Sequence, residues 1–305
     1  MKGVFDTKPN SGYDDEITRR YHFPARSNYM DAARALIGDW IVYREPQRNS
    51  GRRAYIAAAR VLSIEPDPAR PNHAYARMGG FLPFDRPVPF VGEGTYWEAS
   101  LREIGDPTRV GAGLQGKAMR LISDSDFAAI VTEGLRETLA PENAVRLGLG
   151  FEDVEQALFH GHPDAPDEQT RRIEQMLVNR KIRDANFRRQ VCAAYDDRCA
   201  VTGLRIINGG GRSEVQAAHI RPVGLDGPDV VQNGIALSGT VHWLFDRHLV
   251  SLTDDYRLLV SHNKVPVELR TLFERQMDRI HLPADQRLWP HPKYIAYHRE
   301  AYMAA

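Results

Sequence analysis

Residues 214–248 read EVQAAHIRPVGLDGPDVVQNGIALSGTVHWLFDRH. Strand-forming residues lead up to His219, and a loop carrying Pro228 and Asn233 follows. TVHWLFDRH then spaces its apolar residues three and four apart, which predicts a helix. Upstream, residues 206–207 are a second strand-like piece, separated from 214–219 by the turn GGGR, and LVSLTDDYRLLVSH downstream reads as a hairpin. Strand, strand, loop, helix is the outline of a ββα unit.

Four polar residues in this unit have chemistry to offer. His242 and Asp246 stand at i and i+4, so on a helix both project from one face and could hold one divalent cation between an imidazole nitrogen and a carboxylate. His219 ends a strand, where a free imidazole is placed to take a proton from water. Asn233 lies in the connection, where an amide can pin loop backbone and fix the distance between base and metal. Singly, such residues are ordinary helix-surface or core groups, as His248, His262 and Cys192 are read to be. Four together, in this order, mark a site.

The order His219, Asn233, His242 resembles the HNH nucleases of the ββα-metal fold, and the likeness spans residues 184–300. The resemblance implies that His219 is the general base that activates water against a phosphodiester. It likewise implies that Asn233 is the structural asparagine and that His242 and Asp246 bind one Mg²⁺ or Mn²⁺. Two departures stand out. Ala218 occupies the position before the base, where many relatives carry an acidic or histidine ligand, so water and phosphate oxygens are expected to complete the metal's shell. CAVTG, with Thr202 in place of a second cysteine, removes the structural zinc of many relatives, so none is expected. AAHI with HWLFD and the C-terminal LPADQRLWPHPKYIAYHRE is similar to an HNH subfamily of bacterial restriction-type endonucleases.

Residues 1–135 have a different texture. β-rich runs at 38–46, 53–68, 74–78 and 81–90 are separated by turn residues. A helix over 29–38 is expected to be capped by Asn28 or Asp31, and 124–139 reads as another helix. RRYHFPARSNYM followed by GDWIVYRE resembles the EVE domains of the PUA-like superfamily, some of whose relatives read modified bases. That resemblance implies a curled β-barrel with flanking helices. An extruded base would stack in an aromatic pocket, and the residues expected to line it are Tyr21, Phe23, Asn28, Trp40, Trp97 and Glu98.

The fold class expected is therefore α+β in two domains, an EVE/PUA-like domain at 1–135 and an HNH domain at 179–305, joined by a helical and acidic linker at 136–178. The chain of 305 residues, 42% hydrophobic and 26% charged, is long enough for both. Its two cysteines exclude a disulfide scaffold. With no apolar run long enough to span a bilayer and no signal-peptide core at the start, a cytoplasmic protein without a membrane partner is expected. The net charge of zero divides into +2 over 1–132, −7 over 133–170 and +5 over 171–305. Basic residues crowd where the last part begins, and Arg180, Lys181, Arg183, Arg188 and Arg189 are the expected contacts to the DNA backbone. The function expected is a modification-dependent endonuclease that flips a modified cytosine, such as 5-hydroxymethylcytosine or 5-methylcytosine, and cuts double-stranded DNA as a homodimer. The alternatives are an HNH nuclease whose reader recognises sequence, a catalytically degenerate DNA-binding module, and a small-molecule-binding regulator that uses the aromatic pocket.

Overall fold

The computed structural model describes residues 1–7, 16–47, 51–92, 94–138, 140, 166–274 and 278–304. Most of the acidic stretch expected to be a linker, residues 141–165, lies outside them. The chain divides into two compact units, one of residues 1–144 and 150–182, the other of 145–149 and 183–305.

In the first unit the order is β1 (Lys2–Asp6), β2 (Arg20–Pro24), α1 (Ser27–Ala35), β3 (Trp40–Glu45), β4 (Ala54–Pro66), β5 (His73–Pro89), β6 (Val91–Gly92), β7 (Thr95–Tyr96), α2 (Ala99–Arg102), α3 (Val110–Gly113), β8 (Met119–Ile122), α4 (Asp124–Gly134) and α5 (Pro166–Val178). Six strands make one mixed sheet in the order β2-β5-β4-β3-β1-β8, with β1 parallel to β3 and every other pair antiparallel. The sheet curls into a half-barrel. Its long β4–β5 ribbon shifts register three times, and each shift adds twist and bend to the strand that carries it. The two runs at 74–78 and 81–90 are thus one strand, in which Pro83 borders and Pro87 falls within the first of these irregularities.

β1 forms from KGVFD, outside the β-rich runs read from the sequence, and it is wholly buried between β3 and β8. Phe5, Tyr21 and Tyr43 cluster beneath it, with ring centroids 4.8 to 6.4 Å apart. The cap of α1 differs from expectation: Arg26 holds the N-cap position without a side-chain bond, and Asn28 lies inside the first turn. α4 starts as its sequence suggests, with the Ser123 hydroxyl accepting from the Asp126 amide at 3.0 Å. It packs close to the sheet because Gly134 leaves room for Phe84; a Cβ there would sit 2.4 Å from the ring. α5 belongs to this unit, and its Glu174, with Asp39, pairs with the buried Lys2 ammonium.

The second unit contains most of α6 (Arg180–Ala194), then β9 (Gln216–His219), β10 (Gly234–Leu237), α7 (Gly239–Asp246), β11 (Val250–Leu252), β12 (Leu258–Val260), α8 (Val267–Glu274) and α9 (Pro292–Ala304). β9 pairs antiparallel with β10, His219 facing Gly234 and Ala218 facing Ile235. The expected partner at 206–207 makes only an isolated bridge, Ile207 to Ser213. The core gathers Phe187, Val191, Tyr195, Ala218, Ile235, Leu237, Leu244 and Phe245. Cys199 is fully buried in it, its thiol 3.7 Å from the Ser238 hydroxyl. Burial pushes the Cys192 thiol up to about 11, against the opposing charge of Arg188, so it carries no thiolate near neutral pH. No helix among the described residues is long and apolar enough to cross a membrane.

Candidate active site

β9, the turn that follows it and α7 carry the predicted polar residues of the second unit. His219 is the last residue of β9, and its ring is held twice. It stacks on Phe187 of α6 at 3.8 Å between centroids and 9° between planes, and its Nε2 lies 3.0 Å from Asp229 Oδ1. The other oxygen of Asp229 accepts from Arg183 Nη2 at 2.9 Å. Burial alone would raise the Asp229 carboxyl, but the hydrogen bond from His219 and the adjacent Arg183 charge outweigh it and hold the group below the usual carboxylate range.

Asn233 is completely buried and uses its whole amide on the loop that follows His219. Its Oδ1 accepts from the Arg221 amide at 2.9 Å, and its Nδ2 donates to the Arg221 and Pro228 carbonyls at 3.0 Å each. These three bonds close residues 221–228 into a tight turn. Gly227 makes the closure feasible, since a Cβ there would fall 1.9 Å from the Arg221 carbonyl oxygen. The turn delivers Asp229 to His219.

Successive strand residues face opposite ways, so Gln216 and Ala218 share the other face of β9. Ala218 is sealed in the core, while Gln216 Oε1 lies 2.9 Å from Nδ1 of His242 on α7. His242 Nε2 is in turn 3.4 Å from Asp246 Oδ2, the contact that the i, i+4 spacing predicts. Among the described residues no three histidine, cysteine or acidic side chains converge as a preformed metal cluster. The donor set of one imidazole, one half-exposed carboxylate and a nearby amide oxygen nevertheless suits a hard divalent cation that keeps water and phosphate in its shell.

Residues 199–253 match the HNH endonuclease family model. The HNH segment therefore contains His219, Asp229, Asn233, His242 and Asp246 within one matched stretch. No curated protein matches the chain. Among solved structures, the chain is similar to the modification-dependent TagI restriction endonuclease, at 15% identity and a TM-score of 0.32, over 97% of this chain and 79% of that one. It is also similar to Rpa0253 from Rhodopseudomonas palustris, at 11% identity and a TM-score of 0.30, over 44% and 92%. A third, the type IV phosphorothioation-dependent restriction endonuclease ScoMcrA, gives 14% identity and a TM-score of 0.21, over 99% and 50%.

The expected base pocket does not assemble. Tyr21 and Phe23 have no exposed surface, Trp40 is buried, and the Tyr21 hydroxyl donates to the Asp6 carbonyl at 2.8 Å. A ring with no exposed face cannot stack on an extruded base, so these three are core residues. Glu98, also fully buried, is consumed by Arg120, which donates to both its oxygens at 2.5 and 2.6 Å, and by the Tyr55 hydroxyl at 2.7 Å. Its polar edge is not available to a Watson–Crick face. Trp97 is half-buried, its Nε1 donating to the Pro89 carbonyl and its ring lying over Gly92. Asn28 is exposed and donates to the Gly116 carbonyl. No hydrogen bond links Trp97 to Asn28.

Of the residues expected on the DNA backbone, Arg183 is turned inward onto Asp229, and Arg188 and Arg189 are half-buried on α6. The side chains of Arg180 and Lys181 lie outside the described residues. Asp229 and Gln216 are the site residues that the sequence reading passed over. An aspartate in a Gly-Pro-Asp turn looks like a turn former, and a glutamine in a strand like a surface residue.

Proposed function

We propose that this protein is a metal-dependent endonuclease that hydrolyses phosphodiesters of double-stranded DNA through the HNH segment. The observation that carries the reading is that His219, its imidazole held by Asp229, and the His242/Asp246 pair lie together in the stretch that matches the HNH endonuclease family. His219 takes a proton from a water molecule as the water oxygen attacks phosphorus in line with the leaving oxygen; the new P–O bond forms as the bond to that oxygen breaks, and solvent protonates the leaving group. Asn233 keeps the 221–228 turn, and with it the base, in place. His242 and Asp246 would hold Mg²⁺ or Mn²⁺, which when bound supplies Lewis-acid polarisation of the scissile phosphate and charge stabilisation of the leaving oxygen.

The finer reading is that the first unit, EVE-like by its RRYHFPARSNYM and GDWIVYRE segments, selects DNA with a modified cytosine and flips that base. It acts in the cytoplasm as a homodimer, because one such site cuts one strand. Burial of Tyr21, Phe23, Trp40 and Glu98 favours a second reading, in which the first unit recognises sequence or another feature of the duplex. Ala218 supports a third, a silent site on a DNA-binding module.

One digest separates them. Duplexes of one sequence carrying cytosine, 5-methylcytosine or 5-hydroxymethylcytosine are incubated with the full chain and Mg²⁺ or Mn²⁺, with EDTA and His219→Ala as controls. Cutting of modified DNA alone, abolished by both controls, is the expected result. Equal cutting of all three refutes the modified-base reader, and binding without cutting refutes the nuclease.

A further inference from the structure

His219 presents a geometric question that a general base must answer: which ring nitrogen faces the water. The imidazole plane is set by the stack on Phe187, and rotation within that plane is stopped by the 3.0 Å contact between Nε2 and Asp229 Oδ1. Asp229 cannot turn away, because Arg183 holds its second oxygen at 2.9 Å and its side chain is only 8% exposed. Behind it, Asn233 fixes the Pro228 carbonyl one residue before. Each member of the relay Arg183, Asp229, His219 is therefore fixed by the next, and Nδ1 of His219 makes no hydrogen bond among the described residues.

We propose that Asp229, anchored by Arg183, is the positioning residue of this site: its carboxylate accepts from His219 Nε2–H and so presents the Nδ1 lone pair to the attacking water. An ionised carboxylate is acceptor-only, so the nitrogen facing it must carry the proton. In neutral imidazole the other nitrogen is then the acceptor, and this is the form a general base requires. When Nδ1 takes the proton from water, the imidazolium carries N–H on both nitrogens, and Asp229 stabilises its charge without itself gaining a proton. The inference rests on the nuclease reading for its consequence, but the tautomer can be measured without any cleavage.

Two measurements test it. Long-range ¹H–¹⁵N spectra of the full chain at about pH 8, above the ordinary histidine range, report the neutral tautomer of each histidine, with His219→Gln assigning the signal. Nε2–H is expected for His219, and a predominantly Nδ1–H ring overturns the proposal. In Asp229→Asn, whose amide can donate to Nε2, the Nδ1–H form should become populated, and kcat should fall by about a hundred-fold or more while DNA affinity stays within about threefold. Asp229→Glu, which restores a carboxylate, should recover the Nε2–H form. A kcat for Asp229→Asn within about threefold of wild type also overturns the proposal. If wild type cuts no DNA, the nuclease reading fails, and the tautomer of the wild-type chain still decides the role of Asp229.

Discussion

Replacing Asn233 with alanine should unfasten the 221–228 turn, and its cost can be worked from the bonds. The substitution removes one acceptor and two donors, leaving the Arg221 amide and the Arg221 and Pro228 carbonyls without their partner. A stranded buried polar group costs about 1–3 kcal/mol, and Arg221 and Pro228 are half-exposed, so water recovers part of that loss. Taking the low end for each group gives about 3 kcal/mol for the second unit, or roughly a 10 °C fall in its midpoint. Asn233→Asp is the sharper test. It keeps the acceptor toward the Arg221 amide but points a carboxylate oxygen at two carbonyl oxygens, so at neutral pH it should destabilise at least as much as alanine does. Hydrogen exchange followed by mass spectrometry on peptides covering 216–237 reads the unit directly, and urea denaturation gives the free energy. A loss under about 0.5 kcal/mol for alanine, or an aspartate variant as stable as wild type, would show that the turn is held by something other than this amide.

Two further outcomes follow from side chains on α7 and α9. His298 is buried against Phe245 at 3.7 Å; its Nε2 donates to the Phe245 carbonyl and its Nδ1 accepts from the Ser251 hydroxyl. Burial, with a smaller push from His248, lowers it to about 4, so the folded protein keeps it neutral while the unfolded chain protonates near 6.5. The unfolded state then binds the extra proton between those values, and stability should fall on acidification from about pH 6.5 toward 4, by up to about 3 kcal/mol. Urea midpoints at two pH values check this, and His298→Gln should flatten the dependence. On the other side of the site, Gln216→Ala removes the partner of His242 Nδ1 and should weaken Mn²⁺ binding about 10- to 100-fold by calorimetry, with DNA affinity measured in EDTA unchanged.

The candidate site residues were readable because their types and spacing are constrained by what they touch. His242 and Asp246 had to be four apart, and Asn233 had to lie where a loop returns. The strand that pairs with β9 was not readable: residues 234–237 are four, buried without alternation, and offer no period of two. Asp229 reaches His219 only because the turn doubles back, a contact that arises from tertiary closure and leaves no periodic trace. The aromatics of the first unit misled for a related reason. Tyr21, Phe23 and Trp40 favour strands whether they line a pocket or fill a core, and only their packing in the fold, as where Phe5 of β1 lies against Tyr21, decides which. β1 itself was missed because KGVFD is too short and too polar at its ends to stand out.

Asp6, Arg44, Glu98 and Arg120 form a charge-balanced group inside the first unit, with Arg44 bidentate on Asp6 and Arg120 reaching both carboxylates. During synthesis these four emerge from the ribosome in an order that leaves the group one charge out of balance between residues 98 and 120. Asp6 and Arg44 come first and can neutralise each other, Glu98 then adds an uncancelled negative charge, and Arg120 arrives last, on the strand that flanks β1. Sealing Glu98 in the interior before Arg120 is available would cost several kcal/mol. Closing the half-barrel around an incomplete chain is thus disfavoured until residue 120 is free to join it.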